Sequence, residues 1–125
     1  MHRRLTAILF SFFICVSITA QQIYYIDPNG NDSTGDGSST APWKTLNKAC
    51  RSATSGSTIH VNPGTYYENA ECHLPSGVNI VGEGASSVIT SSSLTAQHAS
   101  IIVAHSSEGT SGNQRISNLV FDGNN

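Results

Sequence analysis

Charge is scarce in this chain. Asp, Glu, Lys and Arg make up 11% of its 125 residues, and the formal net charge is −2. Past the first twenty residues the cations are Lys44, Lys48, Arg51 and Arg115. These are too few to neutralise a row of phosphates, so nucleic acid is excluded as a partner. Long apolar runs are absent too, except at the start, where Leu5 to Ile18 is interrupted by Thr6, Ser11 and Ser17. That run is short for a membrane span and has no basic flank on its far side. Preceded by Met1-His2-Arg3-Arg4 and followed by the small residues Thr19-Ala20, it reads as a secretory signal peptide over 1–20. Residues 21–125 are then a single mature domain, secreted or held at the cell surface, with no membrane span once the signal is removed. Ile14 before Cys15, where a lipoprotein needs a small residue, argues against lipid attachment. Metal-ligand spacing is also missing: His60, His73, His98 and His105 form no recognised pattern, so no metal site and no cofactor is expected in this chain. Cysteine is rare, and Cys50 and Cys72 alone remain after the leader. In an oxidising compartment they can pair, which would stabilise the fold by ~3 kcal/mol. Two buried thiols are the equal alternative.

What the chain does have is short apolar triplets set among Gly, Ser, Thr and Asn. The stretch 42–84 holds three units in succession. Leu46, Ala49, Cys50 and Ala53 fall at i, i+3, i+4 and i+7, one face of a short helix over 45–54. Thr45 is placed as its N-cap and Gly56 as a left-handed C-terminal cap. Ile59-His60-Val61 is a strand closed by Asn62-Pro63-Gly64, and Val78-Asn79-Ile80 is another that runs into Gly82-Glu83-Gly84. Ile101-Ile102-Val103 and Leu119-Val120-Phe121 repeat the triplet. A period of about 20 residues with polar turns between predicts stacked coils, each burying its apolar face against its neighbours. In that arrangement Ile59, Val78, Ile101 and Leu119 lie one above another. A sandwich would show turn signals about every 8–12 residues. The helix then closes the first coil against Ile59 and Val61.

Four linked motifs carry a resemblance. Tyr24 to Asp32 (YYIDPNGND), Ala41 to Leu46 (APWKTL), Asn62 to Asn69 (NPGTYYEN), and Leu74 to Val78 with Gly82-Glu83-Gly84 resemble the start of secreted proteins of the pectate-lyase-like superfamily. The resemblance covers nearly all the chain after residue 22. It implies an all-β fold, a right-handed single-stranded parallel β-helix with an N-terminal capping α-helix. For activity it implies proton abstraction beside a uronate carboxylate, with Ca2+ neutralising that carboxylate and an Arg or Lys as base. Those groups must project outward. The outward positions His60, Asn79, Ile102 and Val120 include no carboxylate, Lys or Arg, so no catalytic or substrate-binding residue is carried over. The chain stops directly after the last triplet without a cap. It is therefore expected to be the N-terminal portion of a longer polysaccharide-binding protein, a polyuronate lyase in full-length form, and inactive alone. A non-catalytic glycan-binding or adhesin-like solenoid is the alternative, and a pectin methylesterase the third reading, since fold does not fix function.

The remaining features divide between bland and functional readings. A first strand is expected over 21–27. Asp27, Asn29, Asn31, Asp32 and Asp36 offer oxygens for calcium, but Asx turns are the preferred reading of 27–40. Trp43 is expected to seal the helix contact rather than stack on sugar. Of Tyr66 and Tyr67, one ring is expected to pack inward and the other to cover the coil edge, though the pair could instead stack on sugars. Glu68 is assigned a structural role, satisfying backbone donors at the turn. Ser87 to Thr90 is expected to form a strand on another face, and 85–98 and 104–114 to hold loops.

Overall fold

A computed structural model describes residues 20–91 and 100–123. The predicted signal peptide up to Thr19, and His98, lie outside the described residues. Among the described residues nine short strands and one α-helix follow in order: β1 (Ile23–Ile26), α1 (Leu46–Ser52), β2 (Thr58–Val61), β3 (Gly64–Glu68), β4 (Cys72–Leu74), β5 (Asn79–Gly82), β6 (Ser87–Ser91), β7 (Ile102–Ala104), β8 (Arg115–Ser117) and β9 (Val120–Asp122). A 3-10 turn at Gly84–Ser86 precedes β6. The protein is all-β, and every strand pair is parallel. Three sheets form, ordered β1-β2-β5-β8, β3-β6-β9 and β4-β7. The chain visits them in rotation, and polar turns such as Asn62-Pro63 and Pro75-Ser76-Gly77 carry it from one to the next.

Like side chains align across the sheets, which buries apolar surface with little backbone length. Ile59 pairs with Tyr24 on one side and Ile80 on the other, and Ile80 pairs with Ile116. In the second sheet Tyr66, Ile89 and Phe121 align, and in the third Cys72 aligns with Ile102. The alignment differs from the expected column. Val78 is fully buried but sits just before β5. Ile101 borders β7 in the third sheet and Leu119 borders β9 in the second. Ile59, Val78, Ile101 and Leu119 therefore do not stack on one another. The reason is physical: strands of all three sheets share the same apolar–polar–apolar pattern, so triplets from different sheets look alike. Ile102, expected to face outward, instead lies in line with the buried Cys72 and packs on the core. Strands β3, β4 and β8 were not expected. They fall where turn residues or single apolar positions hide a two-residue alternation.

The helix spans Leu46–Ser52 with Thr45 as N-cap, its side chain accepting from the Lys48 N–H at 3.1 Å. It ends at Ala53 in extended conformation, not at Gly56. Gly56 has φ +88° and serves the turn before β2, where its N–H donates to Gly77 O at 2.9 Å. Leu46, Ala49 and Cys50 are buried. The helix packs chiefly on β4, and less on β1 and β3, rather than on β2 as expected. The Cys50 and Cys72 sulfurs are bonded, with Cα atoms 5.9 Å apart, which joins α1 to β4 directly. Among the described residues, no helix is long and apolar enough to cross a membrane.

Candidate functional site

The start of α1 carries no acidic residue in its own first turn. Its free N–H groups are met instead from distant parts of the chain. Glu68, on β3, accepts from Leu46 N at 2.7 Å and Asn47 N at 3.1 Å. Asp32, in the loop after β1, accepts from Lys44 N at 2.7 Å, from Thr45 N at 3.1 Å and from the Thr45 hydroxyl at 2.7 Å. Orphan donors at a helix start are costly when buried, so these two carboxylates fix the helix against the sheets. Burial pushes the Glu68 carboxyl above its ordinary range, with the Asp32 charge adding to the rise, against the pull of the two N–H groups. Glu68 is thus structural, but it serves the helix start rather than the turn.

Docking the helix there opens a groove beside it. Pro28, Lys44, Thr45, Thr65, Tyr66, Tyr67 and Glu68 enclose about 430 Å³. The two tyrosines divide because β3 alternates. Tyr66 is 2% exposed, and its hydroxyl reaches the carbonyls of Ile26 at 2.9 Å and Asn62 at 2.7 Å. Burial, then the charges of Asp27 and Glu83, raise its pKa well above the phenol range. Tyr67 is 66% exposed and lines the groove. Pro28 also lines the groove, and it has room there because Gly64, at φ +143°, carries no side chain. A Cβ at that position would collide with the Pro28 ring. Lys44 and Thr65 are exposed at the groove. An aromatic face beside an ammonium and hydroxyl groups can take a sugar ring through its C–H face and hold a carboxylate or hydroxyl.

The other candidates occupy fixed places. Trp43 is 6% exposed, stacked on Tyr24 with ring centroids 5.1 Å apart, and its Nε1–H donates to Gly35 O at 2.8 Å. Gly37, at φ +80°, lies under that ring, where a Cβ would come within 2.8 Å of it. The indole is core, and Lys48 Nζ lies 5.6 Å from its centroid. In the 27–40 loop, Asp27, Asn31 and Asp36 accept from the N–H groups of Asn29, Ser33 and Ser38 at 2.8–2.9 Å. Bonds from Ser38 also lower the Asp36 pKa. These oxygens close Asx turns. His60 Nε2 lies 2.9 Å from Glu83 Oε1, beside the Tyr25 ring. Asn79 is half-buried on the outward side of β5, and Val120 is exposed on β9. Among the described residues no group of three or more His, Cys, Asp or Glu side chains is placed to hold a metal ion.

Lys44, Thr65 and Pro28 were missed as groove residues. No local signal marks them, because the groove exists only where the loop after β1, the helix start and β3 converge.

An all-β protein of parallel sheets, with a helix docked across their first strands and an open groove beside its start, is the class that fold and site define. The chain belongs to the family described as protein of unknown function (DUF1565), whose model matches residues 28–122. No curated protein and no solved structure matches it.

Proposed function

We infer that this chain is the capped first part of a right-handed parallel β-helix of the pectate-lyase-like kind, exported from the cell, and that its groove binds polysaccharide. In-register parallel strands in three sheets, visited in rotation and begun by a docked helix, support the architecture. The leader-like start supports export. One observation carries the binding reading: Tyr67 is a large exposed aromatic on β3, lining the same groove as Lys44 and Thr65. An exposed ring costs the fold contact area and is well used as a sugar platform. Lys44 favours acidic sugars, so a polyuronate is the preferred ligand.

The test is calorimetric titration with an oligogalacturonate and with a neutral oligosaccharide of equal length. Tyr67→Ala should weaken both by about tenfold or more while changing stability by less than about 0.5 kcal/mol. Lys44→Ala should weaken the uronate selectively. Absence of binding to either oligosaccharide sinks the reading. Polyuronate lyase activity with Ca2+ is proposed only for a longer parent, and a calcium-dependent rise in unsaturated-uronate absorbance tests it. If binding is found without that rise, the protein is a non-catalytic glycan-binding solenoid.

A further inference from the structure

On the opposite side of the helix contact, two imidazoles face each other. His73 lies on β4 and His105 just past β7. Their ring centroids are 5.0 Å apart, and His73 Nδ1 is 2.7 Å from His105 Nε2. The two nitrogens share one proton, so one carries a lone pair aimed at the other. Glu71 Oε2 lies 3.7 Å from the remaining nitrogen of His73. A carboxylate there favours a proton on His73 Nε2, which leaves Nδ1 as the free donor atom facing His105.

Both imidazoles are exposed, yet their backbones are tied down. The His105 N–H donates to Leu74 O at 3.1 Å. Its carbonyl accepts from Ser76 Oγ at 2.8 Å and from Gln114 Nε2 at 2.6 Å. Glu71 O accepts from Asn47 Nδ2 at 2.6 Å, and neighbouring Cys72 is bonded to Cys50. The pair is therefore held on a braced platform, with water on its open side.

We propose that His73 and His105 form a two-imidazole binding site for a borderline divalent transition ion such as Cu2+ or Zn2+, oriented by Glu71. The ion takes the place of the shared proton, which moves by way of solvent from His105 Nε2 to His105 Nδ1, so both rings stay neutral as His73 Nδ1 and His105 Nε2 become its ligands. Water fills the other coordination positions. A slight widening of the pair, free at an exposed position, admits metal–nitrogen bonds of about 2.0 Å. Neutral nitrogen donors select such ions over Ca2+ or Mg2+, which prefer oxygen.

The experiment is titration of the full chain with CuSO4, read by electron paramagnetic resonance and by copper retained after desalting. One copper per chain with coupling to two nitrogens is expected. His73→Ala and His105→Ala should each remove that signal, as should the milder His73→Gln and His105→Gln, with thermal melts showing each variant folded. Glu71→Gln should weaken binding about tenfold, and His60→Ala should leave it unchanged. No retained copper, or the same nitrogen pattern in folded His73 and His105 variants, overturns the proposal.

Discussion

Glu68 shows how one side chain can hold a fold together from a distance. It is 3% exposed, and its two oxygens take the first two N–H groups of the helix. Glu68→Ala leaves those donors buried and unmet, and should cost about 3 kcal/mol in a denaturant melt. Its pH dependence has a definite sign. Because burial raises its pKa in the folded state, the stability it contributes is fully present below the unfolded carboxylate range. That stability is lost as pH rises through the raised folded value. The stability of the unmodified chain relative to Glu68→Gln should therefore shrink between acid and neutral pH, and growth over that range would refute the assignment. A structural role was legible from Glu68's place after a Pro-Gly turn. Its partners were not, since the helix lies more than a turn of chain away.

At the scale of elements, the helix depends on tertiary support. Seven residues cannot hold a helix in water, because nucleation is costly relative to so few propagating bonds. Thr45 caps it locally, and β4 supplies the surface it buries. The Cys50–Cys72 bond closes a sequence separation of 22 between these two elements. Replacing both with Ala should lower stability by about 3 kcal/mol, seen as an earlier denaturant midpoint. The same shift should appear in the unmodified protein on reduction. An unchanged midpoint would mean the bond constrains nothing. The helix and its N-cap were legible because a 3.6-residue period survives in seven residues and Thr45 stands at its head. Its docking partner was not, because the buried face of a helix specifies apolar contact without naming the strand that provides it.

Across the whole molecule the core is uneven. Ile59, Ile80 and Ile89 are fully buried, whereas Ile116, Val120 and Phe121 are 39%, 39% and 46% exposed. Among the described residues β8 and β9 are the outermost strands of their sheets, so exposed apolar side chains lie along a sheet edge there. Such edges template association. The purified chain should self-associate in sedimentation velocity as concentration rises, and Ile116→Lys with Phe121→Glu should shift it toward monomer. Monomer at all concentrations for the unmodified chain would show that edge to be protected.

The sequence by itself determined most of the recurrent short strands, the capped helix, the Asx-turn loop and the packing of one ring of the Tyr66–Tyr67 pair inward. Each rests on contacts within a few residues, where backbone preference and side-chain alternation act directly. The tertiary structure decided which strand lies on which. Parallel pairing joins segments tens of residues apart, and triplets of equal pattern carry no label of their sheet. It also decided the groove at Tyr67 and the meeting of His73 with His105, because both need side chains from separate passages of the chain to arrive at one place.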